Sequence, residues 1–191
     1  MNPEEATKIT EEIMYYYEKN GGEEYAGEKL SQLEHMVQAA QLAEAQDMDE
    51  EVILAAFLHD IGHLCEEGRG DNEMDGFGIK DHEEIGAEFL GKRGFSKKII
   101  RLVESHVEAK RYLTYKNPEY YNQLSEASKK TLEFQGGRMG KEEAEAFEHY
   151  PLFNLIIQMR TWDEQAKIQD KTLPDLSHYK KMIFHLLTSR S

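Results

Sequence analysis

Two histidines and an aspartate interrupt an apolar, helix-like stretch of the chain. The segment AAFLHDIGHL, residues 55–64, places His59, Asp60 and His63 among alanine, leucine and isoleucine residues. A buried polar side chain without a partner costs about 1–3 kcal/mol, so each of these three groups requires a partner inside the protein. Imidazole nitrogens and a carboxylate that converge on one point are typical ligands of a divalent metal. The stretch therefore predicts a metal site.

Further candidate ligands stand on other predicted helices. They are His35 in LEHMV, His82 in KDHEE, His106 in ESHVEAK and Asp163 in RTWDEQA. The helices of a bundle can present such side chains toward a common interior. His59 and His63 are four residues apart, so a continuous helix would place them on one face. The presence of one cysteine, Cys65, argues against a structural zinc site.

Three other histidines, His149, His178 and His185, stand outside this ordered set. A single histidine near an apolar stripe is usually a core or capping residue with a hydrogen bond. We interpret these three in that way and not as metal ligands.

The elements that must position the candidate ligands are helical. Apolar residues recur at helical spacing, β-branched alternation is almost absent, and there are four prolines. The predicted helices lie in EEATKITEEIMYYYEKN, KLSQLEHMVQAAQLAEAQ, DEEVILAAFLHDIGHLCEE, a segment from about Asp81, SKKIIRLVESHVEAKRYL, and GKEEAEAFEHYPLFNLIIQMRTWDEQAKI, which divides near Tyr150. We expect an all-α fold.

Length, charge and composition restrict the kinds of partner. The 191 residues predict a single domain, residues 1–191. Lys and Arg number 23 against 37 Asp and Glu, and the net charge of -14 argues against duplex nucleic acid or an anionic membrane as partner. One cysteine, the N-terminal segment MNPEEATKIT and the absence of a long apolar run lead us to expect a cytoplasmic protein, monomeric or weakly homo-oligomeric.

The ordered set of histidines and aspartates resembles the HD-domain superfamily. The pattern is H…HD…D with two further histidines between, and the similarity runs over residues 25–167, with a helical extension at 168–191. The resemblance implies an all-α helical bundle with a di-metal site in its core. By the family pattern, His35, His59, Asp60 and Asp163 bind the first metal. His82 and His106 bind the second, and Asp60 bridges both.

Several stretches resemble the branch of this superfamily whose members are mixed-valent di-iron oxygenases that cleave hydroxyphosphonates. They are YAGEKLSQLEH, HDIGHL, SHVEAKRYL, LSEASKKTLEFQGG and MRTWDEQAK. The resemblance implies two iron ions, as an Fe(II)/Fe(III) pair, and O2 as co-substrate. It implies cleavage of the C–P bond of 2-amino-1-hydroxyethylphosphonate to glycine and phosphate.

The same resemblance assigns substrate contacts. Lys110, one turn after His106, and Arg160, three residues before Asp163, supply cations for the phosphonate. The other implied phosphonate contacts are His63, Ser128, Thr131 and Gln135. Ser128, Thr131 and Gln135 are spaced by three and four residues, so one helical face can present all of them.

Tyr25 and Glu28 form a further implied pair. Tyr25 is expected to fill the open position of the second iron until substrate displaces it, and Glu28 to meet the ammonium group of the substrate. With His63 and Lys110, these two residues make up the implied catalytic group.

Three alternatives stay open. The substrate could instead be the trimethylammonium analogue, giving glycine betaine, with Tyr112, Tyr115, Tyr120 and Tyr121 as an aromatic wall. The carboxylate of Glu28 favours the primary amine. The protein could also be a phosphohydrolase using Mn, Mg, Ni or Co on a small phosphate ester or nucleotide, or a metal-stabilised signalling module.

Overall fold

The fold is all-α, as the sequence predicts. The computed structural model describes residues 1–25, 29–65, 74 and 78–189. This part of the chain contains eleven helices: α1 (Pro3–Asn20), α2 (Gln32–Glu44), α3 (Glu50–Leu58), α4 (Ile61–Leu64), α5 (His82–Lys92), α6 (Lys97–Lys116), α7 (Pro118–Gln123), α8 (Glu126–Phe134), α9 (Lys141–Glu148), α10 (Phe153–Gln165) and α11 (Ser177–Ser189). Glu24 and Ser31 form an isolated β-bridge in this part of the chain.

Polar side chains begin the helices that carry candidate ligands. Ser31 caps α2 in a capping box, in which its hydroxyl accepts from the Glu34 backbone and the Glu34 carboxylate accepts from the Ser31 backbone. Ser96 caps α6 and Asp49 caps α3 in the same general way. Each cap satisfies a backbone N–H that has no partner within the helix. The entry points of the helices that carry His35, His59 and His106 are thereby defined by local sequence.

A stack of aromatic rings packs the terminal helices onto the centre of the bundle. The ring of Phe57 lies between those of Tyr17 and Tyr179, with centroid distances of 4.6 and 4.4 Å. The Tyr17 hydroxyl donates to the carbonyl of Phe57. Ile183 is fully buried in the same core. The C-terminal segment 168–191, expected as an extension, therefore contributes α11 to the main hydrophobic core.

The predicted helix through residues 49–67 is interrupted at the metal-ligand motif. Helix α3 ends at Leu58 and α4 begins at Ile61, and Asp60 between them has φ -103° and ψ 15°. Helix α5 packs closely here, because a Cβ atom on Gly62 would overlap the carbonyl oxygen of His82. The break falls between the two histidines of the motif, so His59 and His63 do not lie on the one continuous helix that their spacing predicts.

Across the described ranges, none of the helices has both the length and the apolar composition that crossing a bilayer would demand.

The close approach at Gly62 leads to a stability prediction. Gly62→Ala places a methyl group against the backbone of His82, so we expect it to lower the free energy of unfolding by at least about 2 kcal/mol. Gly91→Ala, on the exposed side of α5, is the matched control, because its nearest new contact is Ile100 Cδ1 at 3.6 Å. It should be neutral or stabilising by up to about 1 kcal/mol. Thermal unfolding followed by circular dichroism measures both, and equal melting temperatures would contradict the packing argument.

Candidate metal centre and adjoining cavity

Four buried imidazoles are oriented in the same way, each by a backbone carbonyl. In every case Nδ1 lies within hydrogen-bond distance of that carbonyl: His35 to Ala166 at 2.9 Å, His59 to Ala56 at 2.8 Å, His82 to Ile79 at 2.9 Å and His106 to Val103 at 2.7 Å. A carbonyl can only accept, so Nδ1 carries the proton. In the neutral ring, Nε2 then presents a lone pair.

The four Nε2 atoms converge in two pairs. His35 and His59 bring theirs to 3.1 Å, and His82 and His106 bring theirs to 2.9 Å. Lone pairs at such distances repel each other unless a cation binds between them. An orienting hydrogen bond on Nδ1 with Nε2 free is also the usual arrangement of metal-ligating histidines. The donor set therefore fits metal ions.

The carboxylate of Asp60 lies between the two pairs. Its Oδ2 is 3.4 Å from His59 Nε2 and 3.6 Å from His35 Nε2. Its Oδ1 is 3.3 Å from the Nε2 atoms of both His82 and His106. Burial alone would raise the pKa of Asp60, but the surrounding imidazoles hold it well below its usual value. Each oxygen of one ionised carboxylate thus faces a different pair, which is the geometry of a bridging ligand.

Asp163 completes the first pair. Its Oδ1 lies 3.3 Å from His35 Nε2, and its other oxygen contacts the guanidinium of Arg160. Burial opposes ionisation here too, but Arg160 and His35 keep the pKa of Asp163 well below its usual value. The end of α10 is held against α2, since Gln38 exchanges two hydrogen bonds with the backbone of Ile168. This contact places Asp163 beside His35.

His63 lies beside the second pair and can form a ligand group with Asp60 and His82. Its ring stacks on that of His82 at 3.9 Å, and its Nδ1 accepts from the backbone N–H of Ile79 at 3.1 Å. Gly78, at φ 98°, lets the backbone pass over this ring, because a Cβ there would approach it to 2.7 Å. With Nδ1 accepting, the ring proton of neutral His63 is on Nε2. Burial and the neighbouring His82 hold its pKa well below its usual value.

A cavity adjoins this centre, and its wall contains seven of the residues expected to act on the substrate. They are Tyr25, His63, Lys110, Ser128, Thr131, Gln135 and Arg160. The spacing of Ser128, Thr131 and Gln135 therefore places them on one face, as predicted. The buried side-chain oxygen Oε1 of Gln135 has no hydrogen-bond partner in the part of the chain that the structure describes. Such an orphaned acceptor is suited to a ligand that carries a donor.

Lys110 is a buried lysine whose ammonium group makes no ion pair within the described residues. The residue is only 4% exposed, and its Nζ donates a hydrogen bond to Thr131 Oγ1 at 3.0 Å. Among the described residues no carboxylate lies within ion-pair distance of this ammonium group. Burial, reinforced by the nearby Arg160, lowers the pKa of Lys110 to about 7. A bound anion would restore its charge, so the cavity is suited to an anionic ligand.

Tyr25 belongs to the first metal group, although the resemblance placed it at the second metal. Its ring stacks on His35 at 3.7 Å, and its hydroxyl donates to Asp163 Oδ1 at 3.3 Å. Burial, with Asp163 and Asp60 nearby, raises the pKa of this hydroxyl well above its usual value. Tyr25 is therefore a neutral phenol that covers one side of the centre.

Sequence reasoning missed several residues of the cavity wall. They are Met74, Val107, Ser125, Ala127 and Lys167. Val107 is adjacent to a candidate ligand in sequence, and Ser125 is the N-cap of α8, so both positions carried a local signal. The Nζ atom of Lys167 lies 5.9 Å from the centre of the Tyr25 ring, a contact that no sequence pattern indicates.

Other expected residues stand apart from the cavity. Glu28 lies outside the described residues. The four tyrosines considered as an aromatic wall, Tyr112, Tyr115, Tyr120 and Tyr121, are not in the described cavity lining. His149, His178 and His185 are hydrogen-bonded, as expected, to the Glu145 carbonyl and to the carboxylates of Glu44 and Glu50, but they lie on the surface and not in the core.

Comparison with known proteins identifies the family. The HD domain matches residues 33–134. A glycine-betaine-forming 1-hydroxy-2-(trimethylamino)ethylphosphonate dioxygenase of Leisingera caerulea is 44% identical over 92% of this chain and 88% of its own length. The chain belongs to the HD-domain family, in its hydroxyphosphonate dioxygenase branch. The HD-type metal centre described above is thus part of an enzyme.

Two further relatives span most of this HD-domain enzyme. A hydroxymethylphosphonate dioxygenase of Gimesia maris is 39% identical over 83% of this chain and 78% of its own length. An uncharacterized protein, L432, of Acanthamoeba polyphaga mimivirus is 43% identical over 98% of this chain and 85% of its own length. The alignable region therefore extends well beyond the HD match at residues 33–134, which stops before Asp163.

The metal centre predicts how stability depends on pH when metal is removed. Burial lowers the pKa of His59, but Asp60 outweighs it and raises the pKa to about 9; the pKa of His82 is also raised. Both rings bind protons more tightly in the folded, metal-free protein, so they stabilise it below about pH 6.5 and lose that effect as pH rises through 9. The lowered pKa values of His63 and His106 matter only below that range.

The lowered pKa of Lys110 acts in the opposite direction above about pH 7, but it does so in the metal-loaded and the chelated protein alike. The gain in melting temperature on metal loading should therefore grow between pH 6.5 and 9, because the metal replaces protons that His59 and His82 lose over that range. Differential scanning calorimetry with and without chelator measures both profiles. Identical profiles would show that the imidazole cluster does not hold a metal.

Proposed function

We propose that this HD-domain enzyme is a di-iron oxygenase that uses O2 to cleave the C–P bond of 2-amino-1-hydroxyethylphosphonate, giving glycine and phosphate. The observation that carries the proposal is the pair of buried cations, Lys110 and Arg160, in a cavity that adjoins a two-part histidine and aspartate centre. A phosphonate dianion compensates such cations. Two relatives named as phosphonate dioxygenases favour this reaction over phosphate-ester hydrolysis.

The metal ligands follow from the two groups around Asp60. One iron would be held by His35, His59, Asp60 and Asp163. The other would be held by His82, His106 and Asp60. When bound as an Fe(II)/Fe(III) pair, the irons supply Lewis acidity and the reaction with O2.

The protein binds the phosphonate through donors that line the cavity. The Lys110 ammonium and the Thr131 hydroxyl already lie 3.0 Å apart, so one phosphonate oxygen can contact both. Ser128 and Gln135 extend this surface along α8. His63 donates from Nε2, the nitrogen left protonated by its contact with Ile79. These contacts orient C1 of the substrate toward the metal centre.

Tyr25 and Glu28 act at the amino end of the substrate. Tyr25 covers the first metal group until the substrate displaces its hydroxyl from Asp163. Glu28 then meets the ammonium group, a contact that becomes strong when water is excluded. Before substrate binds, the cover provided by Tyr25 protects the metal centre from reaction with O2.

The primary amine is the substrate that the cavity lining favours. A trimethylammonium group is best recognised by several aromatic faces. In the described lining, Tyr25 is the single tyrosine, phenylalanine or tryptophan. We also propose that residues 1–191 form one domain that acts in the cytoplasm, as a monomer or weak homo-oligomer, without nucleic acid or membrane as partner.

Oxygen uptake by anaerobically purified, iron-loaded protein tests the proposal. Racemic 2-amino-1-hydroxyethylphosphonate should trigger uptake, with glycine and phosphate formed in equal amounts. The trimethylammonium analogue and hydroxymethylphosphonate are run in parallel, and a higher kcat/KM with either would reassign the substrate. Phosphate release from phosphomonoesters without oxygen uptake would contradict the oxygenase and establish the hydrolase.

The role of Lys110 predicts a matched pair of variants. Lys110→Met should lower kcat/KM roughly 10- to 150-fold, because a hydrogen bond to a charged group contributes about 1.5–3 kcal/mol. Iron content should stay unchanged, since Lys110 is not a ligand. Lys97→Met, on the exposed start of the same helix, is the control and should behave as wild type. Equal kinetics of the two variants would remove Lys110 from the phosphonate site.

A further inference from the structure

The guanidinium of Arg160 is held by a different partner at each nitrogen. Nε donates to the hydroxyl oxygen of Tyr120 at 2.8 Å. Nη1 contacts the carboxylate of Asp163, and Nη2 contacts that of Glu164. The residue is 5% exposed and lines the cavity. All three contacts are therefore made inside the protein.

These contacts leave part of the guanidinium free for a ligand. A guanidinium has five N–H donors in a planar fork. Within the described residues, the three named contacts use three of them, so one N–H remains on each Nη atom. Each remaining N–H can donate to an oxygen of an oxyanion. Their direction depends on the plane in which Arg160 is held.

Tyr120, which lies on a different helix from Arg160, restrains the plane of the Arg160 guanidinium. Asp163 and Glu164 lie three and four residues after Arg160 on the same helix, so they restrain the Nη atoms from one side. Tyr120 stands on α7 and reaches the opposite end of the group, at Nε. Without this third point the guanidinium can rotate about its contacts with the two carboxylates.

We propose that Tyr120 is a positioning residue that orients Arg160 toward the anionic group of the substrate. The identity of that anion, a phosphonate, rests on the proposed function. The orientation of the guanidinium rests on its contacts with Tyr120, Asp163 and Glu164. Phenylalanine at position 120 would retain the ring but leave the Nε–H of a buried cation without its acceptor. Arg160 would then present its two remaining donors in more than one direction.

The neighbouring tyrosine provides a matched control. Tyr121 follows Tyr120 on α7 but faces other groups: its ring lies 4.4 Å from the guanidinium carbon of Arg138 and 5.8 Å from Lys129 Nζ. Each Tyr→Phe substitution removes one hydroxyl from α7. Tyr120→Phe removes the hydrogen bond to Arg160, which lines the cavity, whereas Tyr121→Phe leaves that hydrogen bond in place.

The test measures binding of inorganic phosphate to the iron-loaded protein under anaerobic conditions by calorimetry. Tyr120→Phe should weaken phosphate binding about tenfold, as expected for one hydrogen bond to a charged group, and raise KM for the substrate similarly. Its kcat should stay close to that of wild type, and its melting temperature should fall by a few degrees because the buried Nε–H loses its acceptor. Tyr121→Phe should match wild type in all four quantities.

A double-mutant cycle separates positioning from a general structural effect. Arg160→Lys keeps the positive charge but removes the Nε–H donor. In that background Tyr120→Phe should cause no further loss of phosphate affinity. An equal loss in both backgrounds, unchanged affinity in Tyr120→Phe, or a wild-type protein that binds no phosphate would each overturn the inference. Because binding is measured without O2, failure here is distinct from failure of oxygen uptake.

Discussion

The structure depends on one buried carboxylate, Asp60, that faces two pairs of imidazoles at once. Asp60 is 3% exposed, and each of its oxygens lies 3.3–3.6 Å from the Nε2 atoms of a different pair. An ionised group so far from water requires cations on both sides. The helices that bring the four histidines, the carbonyls that fix their tautomers and the break between α3 and α4 all serve to hold this arrangement.

The electrostatics of the cavity differ from those of the whole chain. The net charge of -14 describes the surface, where acidic residues are solvated. Lys110 and Arg160 are buried beside the histidine and aspartate cluster, and in the described part of the chain Arg160 contacts the carboxylates of Asp163 and Glu164. Metal ions bound there would add further positive charge. A phosphonate can therefore bind inside an acidic protein, because local charge at short range outweighs distant, screened charge.

Sequence reasoning predicted the parts of this account that depend on pattern, and it failed where distant contacts decide. Helical periodicity was enough to predict an all-α fold. The resemblance to the HD-domain superfamily predicts as ligands six side chains that the structure brings together: His35, His59, Asp60, His82, His106 and Asp163. The break between α3 and α4, which falls between His59 and His63, was not predictable from helical periodicity, and it lies where the His82 carbonyl approaches Gly62. The positions of Tyr25 and Tyr120 depend on contacts with Asp163 and Arg160, which lie 138 and 40 residues away in sequence. The pattern of a single sequence does not indicate such distant contacts.

The central claim is that Asp60 bridges two metal ions, and anomalous X-ray diffraction at the iron edge tests it most directly. In crystals of the iron-loaded protein, the account predicts two anomalous peaks on opposite sides of Asp60. One should lie beside His35, His59 and Asp163, and the other beside His82 and His106. A single peak, or two peaks on the same side of Asp60, would contradict the bridging role.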